Sequence, residues 1–216
     1  MKYIIEPSLV SWDNNKSTLK RLKSKVRNNK RRILTRYYDT NSYTVFNETD
    51  MYKNVINMYD YFQKAVNTPV TDLFLRTSDL FDKSDVKIVG INNNESHIYR
   101  GGDLIAIISF IPGYVQLVNA VMWLNTSGNI ISKDIYDRRG FKSSTQYYHL
   151  DGSIGHQVFY DLDGNTVMEA IQMSINNTNQ LTSIKLLGYD GADYIFINEE
   201  ELWKFFLSEI EQKGMK

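Results

Sequence analysis

From about Lys87 the apolar residues of the chain recur at every second position, and they keep that period for roughly a hundred residues, which is the pattern of half-buried β-strands. The alternation predicts strands at 86–91, 95–99, 103–111, 114–124, 129–136, 141–149, 154–160, 165–173, 180–187 and 193–197. Four glycines, Gly128, Gly140, Gly152 and Gly164, fall twelve residues apart, each closing a polar tetrad: NTSG, DRRG, HLDG, DLDG. Asn or Asp offers side-chain hydrogen bonds to a turn and Gly accepts positive φ, so each period reads as one strand plus one tight turn. Successive units pair antiparallel, giving a meander about 25 Å across at roughly 3.3 Å per strand residue.

Before the meander the period differs. KYII (2–5) and RRILTRYY (31–38) read as strands, and between them KSTLKRLKSKVRNN carries Leu19, Leu22 and Val26 at helical spacing, with Asn14 or Asn15 as a cap. Strand, helix, strand opens a parallel α/β unit. DMYKNVINMYDYFQKAV (50–66) predicts a helix with Val55, Met58, Tyr59, Phe62 and Val66 on one face. The chain closes on NEEELWKFFLSEIEQ, a helix capped by Asn198 with Glu201 at its third position and Leu202, Phe205, Phe206 and Ile210 as its buried stripe. The fold class is therefore α+β: a long antiparallel β-meander, an extended sheet with a 12-residue strand-turn repeat, attached to an incomplete Rossmann-like α/β layer. Residues 1–70 form the α/β part, 71–197 the extended sheet, and 198–216 a helix returning to the α/β layer.

The chain has 216 residues, enough for a sizeable core, and no cysteine, which excludes disulfides and thiol chemistry. The N-terminus MKYIIEPSLVSW lacks the apolar run of a signal peptide, so a cytoplasmic protein is expected. Formal net charge is zero, but its distribution is uneven: residues 1–36 hold eleven Lys or Arg against Glu6 and Asp13, so the remainder carries nine net negative charges. From Lys16 to Arg36 there are ten basic residues and no acid. At 100° per residue Lys16, Lys20, Lys23 and Arg27 share an arc of about 60°. That arc is either a solvated face or an anion site, for a polyphosphate or for anionic lipid at the inner membrane face. Arg138 and Arg139, with Lys142 nearby, are either a solubilising hairpin tip or a forked donor set for phosphate or carboxylate.

Other residues invite chemistry but are explained locally. Glu201 and Glu209 stand eight apart on one helix, where a capping role and a solvated face suffice. His97, His149 and His156 lack metal-ligand spacing, Asp137, Asp151, Asp161 and Asp163 sit in turns, and Ser143 and Ser144 lack a nucleophile context. No catalytic residue and no metal site are assigned.

LTRYYDTN (34–41), INMYDYFQKA (56–65), YDRRGFKSS (136–144) and VFYDLDGNTVMEA (158–170) resemble the N-terminal region of bacterial retaining glycosyltransferases of GT-B architecture, of the TarM, TagE and GtfA type. The resemblance implies an interrupted Rossmann-like domain with an extended β-sheet insert. It implies a UDP-sugar donor for a full enzyme, with no cofactor held by this chain. The acceptor implied is a teichoic-acid chain, a poly(glycerol or ribitol phosphate), or a Ser-rich protein; glucose or N-acetylglucosamine would be transferred. A homo-oligomer is expected and no nucleic-acid partner. PSLVSWDNNKST lacks the glycine that such proteins carry after the first strand, and the family's nucleotide-sugar domain would lie beyond these residues, so catalysis by them alone is not expected. The alternative is a non-catalytic assembly module or partner subunit of a glycosyltransferase complex.

Overall fold

A computed structural model describes residues 3–6, 16–29, 31–40, 51–69, 77–82, 84–114, 117–175 and 178–213; within these, the side chains of 16–19, 27–29, 52 and 78 lie outside the description. The expected glycine-free loop after the first strand and the proposed cap at Asn14 or Asn15 also lie outside it.

Three short strands, β1 (Tyr3–Ile5), β2 (Arg32–Thr35) and β3 (Val55–Asn57), form a parallel sheet in the order β1-β2-β3. Helix α1 (Lys16–Asn29) connects the first two. Alternation along β2 sends successive side chains to opposite sides. Ile33 packs with Leu22 and Val26 of α1 and with Met51 and Val55, while Leu34 joins a larger cluster on the other side.

The expected helix over 50–66 is a correction. Residues Tyr52–Asn54 make a 3-10 turn, Val55–Asn57 is β3, and only Met58–Phe62 is helical, as α2. Asn57 causes the break. Its Oδ1 accepts from the N–H of Tyr59 at 2.9 Å, and its Nδ2 donates to Thr35 Oγ1 at 3.0 Å and to the carbonyl of Tyr37 at 2.9 Å. One side chain thus caps the helix and ties it to β2, leaving Val55 and Ile56 to pair with Ile33 and Leu34. Lys64 and Asn67, at φ 57° and 64°, end the segment in left-handed conformations. A short helix α3 (Thr77–Leu80) follows.

The rest is one ten-stranded antiparallel meander whose spatial order is its sequence order: β4 (Lys87–Asn92), β5 (Glu95–Arg100), β6 (Asp103–Phe110), β7 (Val118–Leu124), β8 (Ile130–Tyr136), β9 (Lys142–Tyr148), β10 (Ile154–Tyr160), β11 (Thr166–Ile175), β12 (Thr178–Tyr189) and β13 (Ala192–Phe196). Each strand matches one of the ten expected from the alternation. The four tetrads are the hairpin turns. In each, the glycine N–H donates to the carbonyl three residues back at 2.9–3.1 Å, with φ between 80° and 92°. Asn125, Asp137 and Asp161 brace their turns by accepting the N–H two residues on.

Facing residues across the ladders show which side each belongs to. Ala106, Trp123, Ser132, Tyr147, His156 and Ile171 lie on a first face, and Ile107, Met122, Lys133, Gln146, Gln157 and Ala170 on the second. The two faces are covered at opposite ends. At the β4–β7 end Phe81 packs on the first face with Ile98, Ala106, Ile108 and Val121. At the β10–β13 end Phe159, Met168, Ala170, Ile184 and Phe196 on the second face pack against α2 and the last helix, α4 (Glu199–Lys213). Helix α4 starts as expected, with Asn198 Oδ1 accepting the Glu201 N–H at 3.0 Å and Glu201 accepting the Ile197 N–H at 2.9 Å.

Candidate functional site

The DRRG turn between β8 and β9 folds back onto the C-terminal end of α2. Arg139 is 6% exposed. Its Nε donates to Asp137 Oδ1 at 2.7 Å, its Nη2 to Asp137 Oδ2 at 2.8 Å and to Asp60 Oδ1 at 2.7 Å, and its Nη1 to the Ala65 carbonyl at 2.7 Å. Burial by itself would depress the guanidinium's pKa, but Asp60 and Asp137 outweigh it and hold the group charged far above its ordinary range. Burial also raises the Asp60 carboxyl, against the pull of Arg139.

Of the two readings open at Arg138, Arg139 and Lys142, these bonds take Arg139 out of a forked anion site. Arg139 turns inward because two carboxylates and the Ala65 carbonyl, three residues past α2, meet its fork, and all three of its nitrogens are committed. Arg138 instead lies over the Tyr114 ring at 4.5 Å. Lys142 sits 3.7 Å from Asp134 and 4.6 Å from the centre of the Tyr160 ring.

Beside Arg139, Gln63 is fully buried and donates to the Ser143 carbonyl at 2.8 Å and the Tyr160 carbonyl at 2.7 Å. Tyr38 donates to Ser143 Oγ at 2.9 Å and Ser144 Oγ at 3.0 Å, and packs edge-on against Phe159. Burial pushes the Tyr38 hydroxyl well above its ordinary pKa, so it stays a neutral donor. The serines are therefore seats for the α/β layer, not nucleophiles. Asn57 and Gln63 were hidden in the sequence inside an apparent helix, and Tyr38 had no signal beyond its place in a strand.

The basic arc behaves differently. Lys20, Lys23 and Lys25 are exposed on α1, and Arg21 bridges to Glu6 at 2.7 Å. Lys16 and Arg27 belong to the same helix, but their side chains lie outside the described residues. Glu209 is buried and accepts the Tyr189 hydroxyl at 2.6 Å. His97 contacts Glu95 at 2.7 Å, and no cluster of metal-ligating residues occurs among the described residues.

The sheet's first face is open beyond the reach of Phe81. Along β9, β11 and β13, Tyr147 is 44% exposed, Ile171 44%, Met173 55% and Ile195 71%. The Tyr147 ring stacks on His156 at 5.9 Å, and Lys185 pairs with Asp193 at 3.1 Å nearby. Apolar side chains on a sheet face, interspersed with charges, suit contact with another protein rather than covalent chemistry.

Among families of known proteins, the one described as GtfB middle domain matches residues 86–196. A curated relative, the UDP-N-acetylglucosamine–peptide N-acetylglucosaminyltransferase stabilizing protein GtfB of Streptococcus parasanguinis, is 26% identical over 115 residues, 53% of this chain and 24% of that protein. Among solved structures, the glycosylation-associated protein complex Gap123 of Streptococcus agalactiae superposes with TM-score 0.76 at 15% identity, covering 100% of this chain and 45% of that one. The GtfA/B complex bound to UDP and GlcNAc gives TM-score 0.70 at 14% identity, over 98% and 42%. TarM of S. aureus gives 0.65 at 15% identity, over 97% and 43%. The chain thus spans about a quarter of the curated relative and under half of these structures.

Proposed function

The chain belongs to the GtfB middle domain family, and on that premise we propose that it is part of a non-catalytic partner subunit of a glycosyltransferase complex, whose ten-stranded sheet supplies the docking surface for the catalytic subunit. One observation carries this reading: the open apolar strip of Tyr147, Ile171, Met173 and Ile195, on a sheet anchored to the α/β layer through Arg139 and Gln63. The printed role of the S. parasanguinis relative, a stabilizing protein for a peptide N-acetylglucosaminyltransferase, supports it. On this reading the UDP-sugar is bound by the partner, the acceptor is a Ser-rich protein, and the short parallel sheet is the opening of a Rossmann-like domain. The reading as the N-terminal region of a glycosyltransferase itself rests on the likeness to TarM, which extends to fold alone.

The test is mixing the chain with a GtfA-type transferase. The expected result is a higher melting temperature for the transferase and faster GlcNAc transfer to a Ser-rich peptide, both lost in the double variant Ile171→Asp/Met173→Asp. UDP release from UDP-GlcNAc by the chain alone would favour the catalytic reading and defeat this one.

A further inference from the structure

The apolar strip on the sheet's first face has a carboxylate in its midst. Glu169 of β11 stands between Val158 of β10 and Lys185 of β12, two residues before Ile171 and on the same face, and its side chain is 35% exposed. Neighbouring acids of this face are committed. Asp134 accepts the Thr145 hydroxyl at 2.6 Å and the Trp123 indole N–H at 2.9 Å, and Asp193 holds Lys185 at 3.1 Å. Lys185, the cation directly across the ladder from Glu169, is thereby turned away from it. Among the described residues, the ionic contact left to Glu169 is the His156 ring at 3.9 Å, beyond hydrogen-bond reach. The His156 Nε2 is buried and has no hydrogen-bond partner either, while its ring lies against Tyr147 with 24° between their planes. A carboxylate and an imidazole nitrogen thus meet at the centre of the strip without a bond between them.

Water satisfies Glu169 while the face is open. Beneath a docked subunit the same carboxylate, left without a cation, would be an uncompensated buried charge and would oppose the contacts of Ile171, Met173 and Ile195. Docking on this face has to bring a positive group. We infer that Glu169 is a specificity-determining contact of the strip, and that the transferase surface it takes presents an arginine to it. A guanidinium seats two N–H donors on one carboxylate and lays its plane beside aromatic rings such as Tyr147 and His156, which an ammonium does not. The charge of the chain agrees, because beyond residue 36 it carries nine net negative charges and so favours a basic partner surface. This inference rests on the partner-subunit reading and adds to it the chemistry of the surface that docks.

The experiment measures capture of a GtfA-type transferase by the immobilised chain. Glu169→Gln keeps the shape and removes the charge, and it should weaken capture about thirtyfold or more, mostly through faster dissociation. Glu169→Arg should abolish capture, and one transferase variant, from a set in which surface arginines are changed singly to glutamate, should restore it. Asp103→Asn, an equal loss of charge at the β5–β6 turn, should leave capture unchanged. Wild-type melting temperatures confirm that the variants are folded. Capture untouched by Glu169→Gln but lost in Ile171→Asp/Met173→Asp would overturn the inference and leave the partner-subunit reading standing. Absence of capture by the wild-type chain would defeat that reading, and this inference with it. A loss in Lys185→Gln as large as in Glu169→Gln would make the neutralising cation one of the chain's own, and failure of every arginine variant to rescue Glu169→Arg would remove the partner's arginine; either result overturns the inference.

Discussion

Arg139 and Asp161 show how single side chains hold hairpin turns in place and fasten the sheet. Arg139 is one point where sheet and α/β layer share charge, and its removal leaves Asp137, 4% exposed, without its guanidinium. Arg139→Met should therefore cost about 3–5 kcal/mol in denaturant unfolding, whereas Arg138→Met, at the tip, should cost under about 1 kcal/mol. Arg139→Lys cannot reproduce the fork and should fall near the methionine variant. Asp161 is a second such position. Burial alone would raise its pKa, but hydrogen bonds from the N–H and side-chain amide of Asn165 and the N–H of Asp163, with Lys64 at 3.6 Å, prevail and hold it below the ordinary carboxylate value. A carboxyl with a depressed folded pKa contributes stability above the unfolded value, about 3.9, and loses it as pH falls through the folded one. Wild-type stability should thus drop below about pH 4. Asp161→Ala should lose about 1–3 kcal/mol at pH 7 and show a shallower acid fall, read as unfolding free energy against pH.

At the scale of elements, the twelve-residue repeat works because the glycine of each tetrad must adopt positive φ where the hairpin closes. Gly164, at φ 82°, has open space around an added Cβ, so the cost of Gly164→Ala is backbone strain rather than a clash, about 1–2 kcal/mol. Gly90 in β4 also has open space but no such φ, and Gly90→Ala should be neutral or stabilise by up to about 1 kcal/mol; thermal melts of the pair check both. The ten strands were legible in the sequence because period-two alternation and glycine turns are both local signals. The third parallel strand was not. MYKNVINMYDYF satisfies helical spacing throughout, and only the tertiary bonds of Asn57 to Thr35 and Tyr37 decide that Val55–Asn57 extends beside β2. The inward turn of Arg139 was equally hidden, since the two arginines of DRRG are equivalent until Asp60 and Ala65 arrive from seventy or more residues away. The solvent exposure of Lys20 and Lys23 agreed with helical phase, because the buried positions Leu22 and Val26 were themselves apolar.

For the whole molecule, what matters is that a single meander is covered on opposite faces at its two ends. Strands meet only their sequence neighbours in the ten-stranded ladder, so cohesion passes from one hairpin to the next, as in a repeat array. The core around Phe81, which reaches as far as Tyr136 of β8, and the core around Met168, which begins at Phe159 of β10, share no residue, and β9 is the strand between them. Local opening should follow that division rather than involve the whole sheet at once. Phe81, 6% exposed, is the large side chain delivered to the first face from outside the meander, and Phe81→Ala should remove about 3–5 kcal/mol from that end. Native-state hydrogen exchange should then show faster exchange in β4–β7 with β10–β13 unchanged, and Met168→Ala should do the reverse. Three residues of the proposed docking strip, Ile171, Met173 and Ile195, belong to the Met168 end of the sheet, so only the second variant should also weaken capture of a transferase. Uniform acceleration across all ten strands in either variant would mean that the sheet is one cooperative unit, and that its two covering layers stabilise the whole of it.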